Sequence, residues 1–335
     1  KHLPEPEDHF PGLGLAVKRL KIAFSNKEKV AICGDYDADG MTSTALLLNS
    51  LRHINFDVRA AIPDRLEEGY GLNKLMVEKL HSEGVSVLIT VDNGINAFEA
   101  INLANNLGID IILSDHHKID LEAPSVKALL HPSTTPIDSP FKVLAGVGLA
   151  YLLAIAIARE LKSISSLNNA LDLYTIGTIA DMAPLTGANR YLVIKGLTNI
   201  NRTKCKGLEA LIRISGLNNL KIKADDISFQ IAPRINAVGR IGDPGLVLNL
   251  FVEDNIDKAF EIARECDELN RKRREISNGL EAEAVALIDS DQDKLPPFIL
   301  IAQSHWHPGI VGIVASKIVE RYKRPTALLA GSKCG

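Results

Sequence analysis

The sequence has 335 residues, 46% apolar and 24% charged, a composition that excludes a disordered chain and suits two or more packed cores. Its formal net charge of -3 excludes a basic field over the whole molecule, so nucleic-acid binding would have to come from a local patch. The four cysteines, Cys33, Cys205, Cys266 and Cys334, are widely scattered. That pattern argues against a disulfide framework or a thiolate zinc site and fits a reducing, cytoplasmic setting.

The chain opens on Lys1, His2 and a Pro/Glu/Asp-rich segment with no visible signal peptide, and residues 1–27 read as an N-terminal extension. Val30 to Cys33 suits a buried strand. It is followed by Asp35, Asp37 and Asp39 at every second position, then Gly40 and an Ala/Leu-rich helix from Met41 to Leu51. In an extended segment alternate residues face the same way, so three carboxylates can converge at the strand's carboxyl end. One Asp could cap the helix, with Thr42 or Ser43 sharing the task, but capping leaves two acids unexplained, and three gathered acids call for a cation.

A second strand, Val58 to Ile62, leads into the loop PDRLEEGYGLN (63–73) with Arg65 near its start. The helix Lys74 to Glu83 follows, then the strand Val85 to Val91, which ends at Asp92-Asn93-Gly94, and the helix Ala97 to Leu107. The pattern repeats as Asp110 to Leu113 runs into Ser114-Asp115-His116-His117. Short apolar strands alternating with helices predict an α/β fold, a parallel sheet covered by helices on both faces. The functional crevice of such a sheet lies beyond the carboxyl ends of its strands, where all these polar groups fall.

Beyond the Pro-rich connection 131–140, the apolar run Leu144 to Ala158 has 15 residues, short of the roughly 20 that span a bilayer, and reads as a buried helix with no membrane partner. A helix from about Leu167 to Ala180 ends at Asp181-Met182-Ala183-Pro184, where Pro184 stops it. The stretch 206–243 is mixed and contains APRINAVGR (232–240), and 254–289 predicts one long helix or two in series. The strand Pro297 to Ala302, the helix Gly309 to Arg321 and the strand Thr326 to Ala330 begin a second α/β unit that is cut off partway. The expected division is therefore a catalytic unit at 28–205, a connecting region at 206–289 and a partial second domain at 290–335.

Carboxylates at 37, 39, 92 and 181 with imidazoles at 116 and 117 form a hard oxygen and nitrogen donor set that favours Mn²⁺ or Mg²⁺. Four acids exceed the needs of one ion, so two ions about 3.5–4 Å apart, sharing a carboxylate, are expected. Singly, Asp92 and Asp115 could cap helices, His116 could be a core histidine and Asp181 could close a helix. Their joint placement after strand ends argues against four separate accidents.

GDYDADG (34–40), TVDNG (90–94), SDHH (114–117) and GTIADMAPL (177–185) resemble, in order and spacing, the four motifs of the DHH phosphoesterase superfamily. Within it, PDRLEEGYGLN, APRINAVGR and HWHPGIVGIVASKI (305–318) are similar to the RecJ single-strand-specific exonucleases, and the likeness runs from about residue 28 onward. The resemblance implies a two-metal hydrolase that degrades single-stranded DNA 5′→3′ to nucleoside 5′-monophosphates in DNA repair and recombination. By similarity, Asp39, Asp92, His116 and Asp181 would hold one ion. Asp37 and Asp92, helped by Asp35, would hold the other, with Asp92 as the bridge. His117 would face the scissile phosphate while Asp115 orients a histidine, and Arg65, Arg240, Asn236 and His307 would contact nucleic acid.

Two departures stand out. Many relatives carry a metal-binding His where this chain has Cys33; the expectation here is that Cys33 is packing and that Asp35 and water complete the shell. The second domain, called DHHA1 in the family, is cut short, and the sole Trp, Trp306, could stack a base or sit in a core. A single-strand-binding protein and a helicase are the partners the resemblance suggests, and the chain is expected to act as a monomer. The alternatives are another DHH phosphoesterase, acting on oligoribonucleotides, cyclic dinucleotides or pyrophosphate, and a non-catalytic replication or repair scaffold.

Overall fold

The computed structural model describes residues 3–63, 69–120, 122–217, 221–290 and 295–331. Helix α1 (Pro11–Asn26) begins with Pro at its first turn and is closed by Lys27 in the left-handed conformation. Its Leu13, Ala16, Leu20 and Ala23 are fully buried in the main core, so the segment expected as an extension is an integral layer of the fold.

Strands β1 (Lys29–Cys33), β2 (Val58–Ala61), β3 (Val85–Val91), β4 (Asp110–Ser114) and β5 (Ala128–Leu130) form a sheet in the order β2-β1-β3-β4-β5, and every pairing is parallel. The central strands are apolar throughout because both faces are covered. Val30 and Ile32 of β1 face a core built with α2 (Ala38–His53), α5 (Gly146–Glu160) and α6 (Ala170–Ala180). Ala31 and Cys33 face the opposite one, built with α3 (Lys74–Ser82) and α4 (Phe98–Asn106). The chain passes from β1 outward to β2, then returns to the other side of β1 as β3. The strand order therefore reverses between β1 and β3, and their carboxyl ends border the crevice.

Helices α7 (Gly187–Asn199), α8 (Lys206–Ile214), the one-turn α9 (Ala224–Asp226), α10 (Ala232–Ile241) and α11 (Gly245–Val252) continue the first core. A π-helical turn at Ile227–Ile231 feeds α10. The mixed stretch is thus helical, and Pro233 is tolerated because it sits in the first turn of α10. The 35-residue α12 (Ile256–Ser290) is a single helix. Its first half buries Ala259, Ala263 and Cys266 in the main core. Its last turns bury Leu280 and Ala284 in a separate small core with β6 (Ile299–Gln303), α13 (Pro308–Tyr322) and β7 (Thr326–Ala330). Strands β6 and β7 pair in parallel. Among the described residues, no helix is long and apolar enough to cross a membrane.

Candidate metal centre

The chain stops being a strand at Cys33. Asp35 is buried in the turn that follows, Asp37 is the N-cap of α2 with its Oδ1 accepting from Gly40 N at 3.0 Å, and Asp39 lies in the first helical turn. The three acids converge through a strand-turn-helix corner and not through alternation along a strand, which corrects the geometry expected from their spacing. One acid caps the helix, as its composition allows, and the other two are left for another purpose.

Asp39 is held by an element that the motifs do not contain. Gly146 N and Val147 N, at the start of α5, donate to its Oδ2 and Oδ1 at 2.7 and 2.8 Å. A Cβ on Gly146 would lie 2.6 Å from Asp92 Cβ and 3.0 Å from Asp39 Oδ2, so glycine alone lets the helix end approach both acids. Its partial positive charge favours the ionised carboxylate.

Asp92 follows β3 in the left-handed region, φ 61, a conformation that Asp tolerates better than most residues. The neighbouring Asn93 fastens this corner: its Nδ2 donates to Cys33 O and Val91 O at 3.0 and 2.9 Å, and its Oδ1 accepts from Leu72 N at 3.1 Å. Cys33 is fully buried, its Sγ 3.3 Å from Met76 Sδ and 3.8 Å from Asn93 Oδ1. It packs beneath the site, as expected.

After β4, Asp115 is buried and accepts from Ile95 N at 2.9 Å, from His117 N at 3.0 Å and from His117 Nδ1 at 2.7 Å. That last bond directs His117 Nε2 away from Asp115. His131, 4% exposed, braces the same loop. Its Nδ1 accepts from Ser133 N at 3.0 Å, which leaves Nε2–H to donate to His117 O at 2.7 Å. Tyr70 closes the far side, its hydroxyl donating to Asp92 O at 3.1 Å and lying 3.5 Å from His117 Nε2. Asp181 ends α6, and Met182 turns the chain there with φ 58.

Potential ligand atoms of Asp39, His116 and Asp181 lie within 4.8 Å of one another, as do those of Asp35, Asp37 and Asp92, and those of Asp92, His116 and His117. His116 Nε2 is 3.0 Å from Asp92 Oδ1 and 3.7 Å from Asp39 Oδ2. Asp92 thus belongs to both sides of the cluster. Its Oδ1 is buried and, among the described residues, makes no hydrogen bond despite the nearby imidazole, the arrangement of two donors aimed at a shared point instead of at each other. The residues present therefore fit one or two hard divalent cations.

Electrostatics agree. Burial, then the charges of Asp181 and Asp37, push the Asp39 carboxyl well above the usual range; burial, then Asp39, does the same to Asp92. Burial and Asp37 raise Asp181 to about 6. A cation reverses these penalties. The two imidazoles are driven apart: burial, then the charge of His117, lowers His116 to about 4, whereas the hydrogen bond to Asp115 raises His117. Burial pushes Asp115 up, but the hydrogen bonds from His117 and Ile95 outweigh it and hold the carboxyl below its ordinary value. His116 is thus suited to give a lone pair, and His117 to carry a proton.

Of the residues expected at a nucleic-acid surface, Arg65 lies outside the described residues. Asn236 turns its Oδ1 to Ala38 N at 2.8 Å, bracing the start of α2. In α10, a Cβ on Gly239 would lie 2.1 Å from Tyr36 O, so APRINAVGR rests directly on the acidic loop. Arg240 comes next and donates to Gly309 O at 3.3 Å. His307 caps α13, its Nδ1 accepting from Gly309 N at 3.0 Å. Trp306 is buried in the small core and donates to Glu283 Oε2 at 3.0 Å; the core alternative holds for it, and base stacking does not. Asn93, Tyr70 and His131 were not singled out by sequence, although DNG was a visible signal.

A parallel sheet with acids and a histidine pair gathered at its carboxyl ends is the DHH class of fold and site, and the model of the DHH family, N-terminal domain, matches residues 29–178. The chain belongs to the RecJ family within that class. It is 34% identical to an exonuclease RecJ whose crystal structure is bound to manganese, with a TM-score of 0.88 over 96% of this chain and 80% of that one. The RecJ of Thermus thermophilus in complex with Mn²⁺ superposes with a TM-score of 0.84 at 33% identity, over 96% of this chain and 46% of that one. The single-stranded-DNA-specific exonuclease RecJ of Bacillus subtilis is 41% identical over 318 residues, which are 95% of this chain and 40% of that protein. The chain spans 40–59% of the length of the RecJ proteins it matches from Bacillus subtilis, Escherichia coli and Thermus thermophilus.

Proposed function

We propose that this chain carries the hydrolytic centre of a metal-dependent exonuclease that degrades single-stranded DNA 5′→3′ to nucleoside 5′-monophosphates in repair and recombination. The observation that carries the reading is the convergence of Asp35, Asp37, Asp39, Asp92, His116 and Asp181 on one crevice, with Asp92 grouped with Asp35 and Asp37 and its Oδ1 3.0 Å from Nε2 of His116, which is grouped with Asp39 and Asp181. Its membership of the RecJ family supports the substrate class.

In this reading Asp39, Asp92, His116 and Asp181 hold one divalent ion, Mn²⁺ or Mg²⁺, and Asp35, Asp37 and Asp92 hold the other. When bound, such a pair lowers the pKa of water and steadies the charge of an in-line phosphoryl displacement. The α5 end fixes Asp39 in place and partly offsets the burial and like charge that favour its protonated form; a bound cation would complete the ionisation. Asp115 sets the tautomer and direction of His117, whose protonated Nε2 faces the scissile phosphate and stabilises charge on its oxygens. Arg65 and Arg240 grip backbone phosphates, with Asn236 and His307 shaping the same surface. In function, catalysis falls to groups within 28–205, with a connecting region at 206–289 and the start of a DHHA1-like domain from 290. The protein acts as a monomer in the cytoplasm and receives strands prepared by a helicase and a single-strand-binding protein.

The test incubates the protein and its Asp92→Asn variant with Mn²⁺ and 5′-phosphorylated oligonucleotides, single-stranded and duplex, beside a dinucleotide. Mononucleotides released from the single strand alone, and lost in the variant, support the reading. Preference for the dinucleotide assigns another DHH phosphoesterase activity, and a well-folded but inert protein assigns a scaffold.

A further inference from the structure

Six carboxylates, those of Asp35, Asp37, Asp39, Asp92, Asp115 and Asp181, crowd the metal centre, and their field repels an approaching polyanion. A phosphate strand held there needs cations beside the crevice. Two arginines on or against α12 are already matched by an acid: Arg234 and Arg271 both meet Asp267, at 2.8 and 3.4 Å. Arg273 is different. Among the described residues its one hydrogen bond runs from Nη2 to Oδ1 of the buried Asn270 at 3.1 Å, and its Nε is buried without a partner. One turn on, along the same helix face, Ser277 is 4% exposed and its Oγ is also without a partner among those residues. Burial, then the like charges of Arg274 and Arg240, hold the Arg273 pKa below its ordinary value.

The place matters as much as the charge. Arg240 touches the start of α13 through Gly309 O, and the preceding Gly239 rests on Tyr36, between Asp35 and Asp37. Arg273, on α12, lies within electrostatic reach of Arg240, the residue that follows Gly239 on α10 and joins that helix to the start of α13. A half-buried guanidinium facing two others is unfavourable for the fold alone, and a phosphate would relieve it.

We propose that Arg273, oriented by Asn270 and flanked by Arg240 and Arg274, is a phosphate-binding subsite for the backbone of single-stranded DNA beside the metal centre. The assignment rests on the nuclease reading for its ligand, and it adds a residue that the sequence motifs do not contain. The planar guanidinium can offer two parallel N–H groups to one phosphate, which a lysine cannot.

The decisive variant is Arg273→Met, which keeps the aliphatic stem and removes the charge. Oligonucleotide binding is followed by fluorescence anisotropy in EDTA across a salt series, so that no cleavage intervenes. Affinity for a single strand should fall about tenfold at low salt, and the slope of log K against log salt should shrink by about 0.7. The melting temperature should stay level or rise, because a repulsive charge has gone. Arg273→Lys should keep the salt slope and lose part of the affinity. Mn²⁺-dependent hydrolysis of bis(p-nitrophenyl) phosphate, too small to reach the arginines, should be unchanged. An unaltered affinity and slope, or a lowered melting temperature without a change in slope, overturns the subsite. A parent protein that hydrolyses neither the small diester nor DNA, but whose binding still depends on Arg273, overturns the nuclease reading and leaves the subsite standing.

Discussion

At the residue scale, the centre depends on one missing Cβ and not on the thiol buried beneath it. Gly146→Ala would drive a methyl group into Asp92 and Asp39, displacing the carboxylate that the α5 end fixes. Mn²⁺ affinity measured by calorimetry should drop at least about tenfold, with the global fold retained. Cys33→Ser makes the opposite case. Since Cys33 packs against Met76 and Asn93 and belongs to none of the ligand groups, the same calorimetry should show Mn²⁺ affinity unchanged within about twofold. Urea unfolding should show a loss of about 1–3 kcal/mol, the cost of burying a hydroxyl among apolar groups. The cluster of candidate ligands was legible in the sequence, because carboxylates and imidazoles placed after successive apolar strands have few other uses. Their supports were not. Asn93 and His131 act through backbone carbonyls, and nothing in residue type or spacing reveals which carbonyl a side chain will meet.

At the element scale, strands and helices with strong periodicity were readable, and corners were not. The spacing of Asp35, Asp37 and Asp39 suggested an extended run, yet the N-cap geometry of Asp37 starts α2 three residues before Met41. The stretch holding APRINAVGR read only as mixed, and its Pro233 is accommodated by the first turn of α10. Helix α1 went unrecognised because its polar positions hid the Leu and Ala stripe that the sheet buries. In α12 the lone glycine, Gly279, has open space where a Cβ would stand and lies beside the turns that enter the small core. Gly279→Ala should therefore stabilise the protein by about 0.5–1 kcal/mol through helix propensity, read as a higher urea midpoint at unchanged m-value. A fall in the midpoint would show that α12 needs freedom at this position.

At the scale of the whole molecule, the acidic centre links folding to metal and pH. Asp39, Asp92 and Asp181 bind protons more tightly when folded than when unfolded, Asp181 with a value of about 6. The stability they contribute is complete below the unfolded carboxylate range and is lost as pH rises through the folded values. Without metal, this part of the stability should decline from about pH 4 to beyond pH 6. Divalent cations compete with those protons, so the rise in melting temperature on adding Mn²⁺ should be several-fold larger at pH 7.5 than at pH 5. An equal shift at both values would place the metal elsewhere.

In the proposed centre, Asp92 serves two ions at once. Anomalous diffraction from crystals soaked in Mn²⁺ tests this directly. Two peaks about 3.5–4 Å apart are expected, one contacting Asp39, His116 and Asp181, the other Asp35 and Asp37, with Asp92 between them. A single peak, or a pair that leaves Asp92 without a metal contact, would contradict it.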